Sequence, residues 1–126
     1  YEVAQTGEKI AIIGLGTFFE LAKEAAKLLK EEAGINATVI NPYYITGLDE
    51  ALLTKLKQNH DTVITLEDGI LDGGFGEKIA RFYGASNMKV MNYGLKKEFL
   101  DRYDVDAVLK ENHLTAEQIV EDVLSI

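Results

Sequence analysis

Two adjacent acids, Glu67 and Asp68, are the residues of this sequence best placed to carry chemistry. They follow the apolar run 63–66, whose β-branched residues are typical of a buried strand. Two carboxylates at the carboxyl end of a parallel strand could bind a metal ion or transfer a proton, because open α/β sheets usually place ligands at that edge. The structural alternative is that Glu67 caps amides of the following loop or helix while Asp68 is solvated. We favour this alternative, because no histidine stands near the pair.

A glycine-rich loop follows the acids and consists of Gly73, Gly74, Phe75 and Gly76. A phosphate-binding loop of the Walker type would add a lysine and a hydroxyl, but Lys78 has neither the spacing nor the hydroxyl neighbour. Glycines also let another backbone approach closely, with Phe75 as an anchor. We therefore predict that the two acids and this loop serve loop capping or an interface with a neighbouring domain or subunit. We assign no catalytic, cofactor-binding or metal-binding residue.

A second glycine pair, Gly14 and Gly16, follows the first predicted strand and resembles the opening of a dinucleotide-binding fingerprint. The match fails further on, because Phe19 stands where a small residue should allow close packing of the helix. The second predicted strand also ends in Asn41 and Pro42, where an acid should bind the ribose. We therefore predict a plain turn between strand and helix here.

The net charge, the hydropathy and the lack of cysteine exclude several classes of function. The net charge of −8 opposes contact with nucleic acid or an anionic membrane. Because no apolar stretch approaches ~20 residues and no signal-peptide pattern is present, we expect a cytoplasmic protein. The absence of cysteine excludes thiolate catalysis and cysteine-based zinc sites. The two histidines, His60 and His113, are expected to be surface or capping residues, and the start at Tyr1 suggests excision from a longer chain.

Apolar periodicity predicts alternating strands and helices. The strands are predicted at 9–15, 37–40, 61–66 and 88–93. Helices are predicted from Thr17 to Gly34, from near Asp49, from Phe75 to Gly84, and after Asp104 and Thr115. Thr17 and Thr115 each begin a capping-box pattern, and Leu114 and Ile119 are placed as a hydrophobic staple. The alternation predicts one three-layer α/β/α domain over residues 1–126, with a mostly parallel sheet.

The order of the motifs resembles the C-terminal domain of the transketolase family, and most closely that of 1-deoxy-D-xylulose-5-phosphate synthases. The resemblance is carried by 14–17, 41–45 with 48–53, 65–68 with 73–76, 92–95 and 114–119. It therefore spans nearly the whole chain. The sequence departs from the usual pattern at Thr46-Gly47, at Lys96-Lys97 and over 101–104.

The resemblance implies a larger enzyme that uses thiamine diphosphate and Mg²⁺ to join a two-carbon unit from pyruvate to glyceraldehyde 3-phosphate, for isoprenoid precursor synthesis. In this family the cofactor lies between the two preceding domains, so none is expected to be bound here. The implied role is non-catalytic: the domain completes the subunit, contacts the other domains of the same polypeptide and extends a homodimer interface.

Three other interpretations stay open at this point. The chain could be the C-terminal domain of a transketolase, or the docking module of a 2-oxo-acid dehydrogenase β subunit. It could also be a free-standing binder of a small ligand that uses 14–17 and the Glu67 loop.

Overall fold

The computed structural model describes residues 1–42, 48–70, 74–95, 109–110 and 113–125. The strands are β1 Glu2–Gln5, β2 Lys9–Gly14, β3 Thr38–Asn41, β4 His60–Ile70 and β5 Lys89–Leu95. The helices are α1 Phe18–Ala33, α2 Glu50–Leu56, α3 Phe75–Phe82 and α4 Ala116–Leu124. The loop residue Gly73 lies outside these ranges. Most of the helix predicted after Asp104 also lies outside them.

The five strands form one sheet in the order β1-β3-β2-β4-β5. β2, β3, β4 and β5 are parallel, whereas β1 pairs with β3 in the antiparallel direction. The mostly parallel sheet is confirmed, but β1 is a strand that was not predicted. All four residues of β1 are exposed, so the strand has no core-facing alternation that a pattern search could detect.

The core has two layers, one on each face of the sheet. Ile10 and Ile12 of β2 join the cluster formed with α1 and α4, whereas Ala11 and Ile13 join the cluster formed with α2 and α3. All four side chains are at most 5% exposed. Because side chains alternate along a strand, a continuous apolar run is what a doubly covered strand requires. This arrangement confirms the three-layer α/β/α architecture.

The capping box predicted at Thr17 is wrong. Thr17 has helical dihedral angles and makes no side-chain capping bond, and the amides of Phe18 and Phe19 bond the carbonyls of Leu15 and Gly16 instead. A tight turn of this kind satisfies the first amides from the backbone alone. The other end of α1 is as predicted. It closes at Gly34, whose φ of 68° is left-handed and whose amide bonds the carbonyl of Lys30 at 3.0 Å.

The predicted starts of α2 and α4 are confirmed. Asp49 Oδ1 accepts the amide of Leu52 at 3.1 Å, and Thr115 Oγ1 accepts the amide of Gln118 at 3.3 Å. Leu114 is buried in the same cluster as the first turns of α4, as expected of a hydrophobic staple.

No helix in the described part of the chain is long and apolar enough to cross a membrane.

Candidate functional site

The two acids lie inside β4 rather than after it, which corrects the strand end predicted at residue 66. Regular pairing with β5 holds up to Leu66, and the register shifts before the next pair, Ile70 with Leu95. Glu67 and Asp68 therefore occupy an irregular stretch of strand at the carboxyl edge of the sheet. Irregular pairing of this kind redirects side chains near a strand end.

The carboxylate of Glu67 bonds the start of α3. It is 4% exposed, its Oε1 accepts the amide of Phe75 at 3.2 Å and its Oε2 accepts the amide of Gly76 at 2.7 Å. These amides belong to the first turn of the helix, which has no intrahelical partners for them. The N-cap residue, Gly74, has no side chain to accept them. Glu67 supplies the missing acceptors, and its negative charge faces the positive end of the helix dipole.

Gly76 lies directly against a polar pair between β4 and β5. Thr65 Oγ1 donates a hydrogen bond of 2.6 Å to Asn92 Oδ1, and the two residues are register partners. A Cβ atom on Gly76 would lie 2.7 Å from Asn92 Oδ1 and from Thr65 Oγ1. Glycine is therefore required here for close packing rather than for an unusual φ. This pair was not predicted, although polar residues inside two apolar strand runs are a signal from which it could have been predicted.

Phe75 anchors the loop to the core of its own chain. Its side chain is 5% exposed and belongs to the cluster that contains Ile79 and Tyr83. Its ring also lies 6.1 Å from that of Tyr1. Because the side chain of Phe75 is buried in the core of its own chain, a partner at this edge would contact the backbone and the exposed residues next to Phe75.

The two histidines bond structural partners. His60 begins β4, where its Nδ1 lies 3.1 Å from the carbonyl of Leu56 and its Nε2 lies 2.8 Å from Thr38 Oγ1. Contact with the last residue of α2 agrees with the predicted capping role. His113 Nδ1 donates to Asp122 Oδ2 at 2.9 Å.

Asp122 also bonds a buried phenol. Tyr93 donates its hydroxyl proton to Asp122 Oδ2 at 2.8 Å, which ties β5 to α4. On the other face of the sheet, Tyr83 donates to the carbonyl of Leu53 at 2.6 Å and ties α3 to α2. Burial raises the pKa of both phenols well above the usual value of 10. Each tyrosine therefore holds two helical or strand elements together through a neutral hydroxyl.

The side chains that the structure describes at this edge do not form a metal site. Within the described ranges, no group of three or more histidine, aspartate or glutamate side chains is placed to hold a metal ion. Both oxygens of Glu67 already accept amides. We therefore assign no cofactor step to this chain.

A mostly parallel sheet between two helical layers, with a carboxylate-capped loop at its carboxyl edge, defines a doubly wound α/β domain. Residues 1–119 match the family described as "Transketolase, C-terminal domain". The chain belongs to this family.

Curated relatives of the chain are named 1-deoxy-D-xylulose-5-phosphate synthase. The protein of Symbiobacterium thermophilum is 38% identical over 122 residues, which cover 95% of this chain and 19% of the relative. The protein of Rippkaea orientalis is 35% identical over 127 residues, which cover 99% of this chain and 20% of the relative. The chain thus spans about a fifth of the length of these relatives.

Two solved structures share the fold. A split-gene transketolase, described as an inactive beta4 tetramer, matches with a TM-score of 0.86 and 29% identity, covering 98% of this chain and 41% of that one. A 2-oxoglutarate:ferredoxin oxidoreductase from Magnetococcus marinus matches with a TM-score of 0.62 and 22% identity, over 98% of this chain and 19% of that one. The second match shows similarity of fold alone.

Proposed function

We propose that this chain is the C-terminal domain of a longer 1-deoxy-D-xylulose-5-phosphate synthase. The whole enzyme would condense pyruvate with glyceraldehyde 3-phosphate, release CO₂ and depend on thiamine diphosphate and Mg²⁺ held by its preceding domains. The domain itself would be structural: it would pack against those domains and extend a homodimer interface in the cytoplasm. The observations that carry this proposal are the match of nearly the whole chain to about a fifth of the synthases and the match of residues 1–119 to the transketolase C-terminal domain family.

The geometry of the carboxyl edge supports a structural role. Its buried carboxylate, Glu67, bonds two amides of its own chain, and its aromatic residue, Phe75, is buried in its own core. Groups that are used in this way hold the first turn of α3 in place. A surface that is already fixed suits a contact, because little conformational entropy is lost when it meets a partner.

Two connections meet at this edge and would form the contact surface. The turn between β2 and α1 exposes Gly16 and Thr17, and the start of α3 exposes Glu77 and Lys78. The β2–α1 turn is fixed to β4, because the amide of Leu15 donates to the carbonyl of Leu66 at 2.9 Å, and the next residue of β4, Glu67, bonds the start of α3. The similarity to a split-gene transketolase described as an inactive tetramer also favours a chain that assembles without turning over substrate.

The catalytic half of the proposal is tested by two assays run in parallel. The full-length protein, supplied with thiamine diphosphate and Mg²⁺, should form 1-deoxyxylulose 5-phosphate and CO₂ from pyruvate and glyceraldehyde 3-phosphate. The 126-residue chain alone should form neither product under the same conditions. Turnover by the isolated chain, or a full-length protein that is inactive on this substrate pair, would contradict the proposal.

The interface half is tested at Gly74 in the full-length protein. Gly74 is half-buried and has a φ of −81°, which any residue adopts, so Gly74→Arg adds bulk at the contact without straining the backbone. Gly84→Arg makes the same change at an exposed position at the other end of α3 and serves as the control. Sedimentation velocity should show weaker dimers for Gly74→Arg alone. Equal dimer affinity in the two variants would show that this edge is not part of the dimer interface.

A further inference from the structure

A chain of hydrogen bonds at the amino-terminal edge of the sheet joins four segments of the fold. The amide of Gly7, between β1 and β2, donates to Thr38 Oγ1 of β3 at 2.9 Å. Thr38 Oγ1 lies 2.8 Å from His60 Nε2 of β4, and His60 Nδ1 lies 3.1 Å from the carbonyl of Leu56 in α2. His60 is therefore the central member of a continuous path of hydrogen bonds from the β1–β2 turn to α2.

The partners fix the protonation state of His60. The carbonyl of Leu56 can only accept, so Nδ1 must carry a proton. A neutral ring with its proton on Nδ1 has an unprotonated Nε2, to which the Thr38 hydroxyl donates its proton while it accepts the amide of Gly7. The neutral imidazole thus satisfies every member of the chain. A second proton on Nε2 would face the hydroxyl and leave the hydroxyl proton without its acceptor.

Strand β1 depends on bonds of this kind, because it contributes no buried side chain. Besides its pairing with β3, the segment is held by Gln5 Nε2, which donates to the carbonyl of Ala37 at 2.8 Å. The amide of Glu8 also donates to the carbonyl of Asn36 at 2.8 Å. Tyr1, directly before the segment, packs against the core near Phe75. Residues 2–8 themselves are held by strand pairing and a few side-chain hydrogen bonds, so the loss of one bond changes their opening substantially.

We propose that His60 is a pH-sensitive fastener of the amino-terminal strand, and that protonation of its ring releases residues 2–8 from the sheet while the rest of the fold stays closed. This inference concerns the chain itself and does not rest on the proposed function. The ring is half-buried and borders a cleft of about 150 Å³, through which solvent protons reach it.

The electrostatic surroundings of His60 set the direction of the effect. Burial lowers its pKa below the ordinary value of 6.5 and outweighs the bond to Leu56 and the carboxylates of Asp61 and Glu8, which raise it. Glu8 of the β1–β2 turn and Asp61 of β4 act on the ring, and Lys55 of α2 lines the same cleft. On β2, Lys9 is the register partner of His60. The net effect of these groups and of burial favours the neutral ring.

The sign of the pH dependence follows from this lowered pKa. In the released state the ring is solvated and binds its proton near pH 6.5, whereas in the fastened state it binds only at lower pH. Between these two values the released state holds more protons. The fastening is therefore complete above pH 6.5 and weakens as the pH falls below it.

Hydrogen–deuterium exchange of the intact protein between about pH 5 and 8, corrected for intrinsic exchange rates, tests the proposal. Protection of amides in residues 2–8 should fall roughly fivefold toward about pH 5, the factor that corresponds to one hydrogen bond of about 1 kcal/mol. Protection of residues 18–29 in α1 should stay constant. A parallel fall in α1 would show general loosening and would overturn the proposal.

Two matched variants identify the titrating group. In His60→Gln the side chain carries an amide that does not titrate, so the pH dependence in residues 2–8 should disappear. In His113→Gln, which removes the other histidine of the chain, the dependence should be the same as in the wild type. A flat wild-type profile, or a dependence that persists in His60→Gln, would refute the fastener.

Discussion

Replacement of Glu67 by glutamine is the sharpest perturbation of the capped loop, because it preserves the shape of the side chain and removes its charge. The carboxylate accepts the amides of Phe75 and Gly76 at 3.2 and 2.7 Å while 4% exposed. Glutamine keeps one acceptor oxygen and turns an –NH₂ group toward the second amide. One buried amide then loses its partner, and the other loses a charge-assisted bond.

The expected cost combines these two losses. An orphaned buried amide costs about 1–3 kcal/mol, and the change from a charged to a neutral acceptor costs about 1 kcal/mol more. Loss of the favourable contact with the helix dipole adds about 0.3–1 kcal/mol. The lower cost of burying a neutral side chain offsets part of this sum. We expect Glu67→Gln to lower the free energy of unfolding by about 2–3 kcal/mol.

Urea unfolding followed by circular dichroism measures this change. The control is Glu117→Gln, which removes an exposed acid from the first turn of α4 and should cost at most about 1 kcal/mol through the dipole alone. Hydrogen exchange should also show faster exchange of the Phe75 and Gly76 amides in Glu67→Gln. Equal costs for the two variants, or unchanged exchange at these two amides, would refute the capping role of Glu67.

Three other changes test the packing. Thr115→Ala should destabilise the chain by about 1 kcal/mol because it removes a helix cap. Thr17→Ala should have almost no effect on stability, because the Thr17 hydroxyl makes no capping bond. Thermal unfolding of both variants checks this difference. Gly76→Ala should cost about 1–3 kcal/mol, since a Cβ atom would overlap the polar pair beneath it, and near-native stability would show that the pair can move aside. The raised pKa values of Tyr83 and Tyr93 mean that their contribution is complete below pH 10 and is lost as the pH rises above it. Unfolding measured from about pH 9 to 11 should therefore show a smaller loss in Tyr83→Phe than in the wild type.

The architecture was predictable because the core-forming elements are visible in apolar periodicity. The run 10–13 is apolar on both faces, which only a doubly covered strand explains, and the structure buries all four side chains. Gly34 and Thr115 were predictable for a different reason. The conformations and bonds at these helix ends depend on one or two neighbouring residues, so they can be read locally.

Two features that escaped prediction depend on contacts distant in sequence. Strand β1 exists through backbone pairing with β3 and has no side-chain pattern of its own. The Thr65–Asn92 pair is created by the register of two strands that are separated by a helix. Tertiary pairing decides both of these features. The error at Thr17 has a local cause: the residue fits a capping pattern, but the carbonyls of Leu15 and Gly16 accept the first two amides of α1 and Thr17 takes helical dihedral angles.

The intact mass of the native polypeptide, detected with an antibody to residues 1–126, decides whether this chain is one domain of a longer synthase. Because the chain spans about a fifth of its curated relatives, we predict a mass about five times the 14.0 kDa of this chain. A native polypeptide near 14.0 kDa would contradict the claim and indicate a separate module.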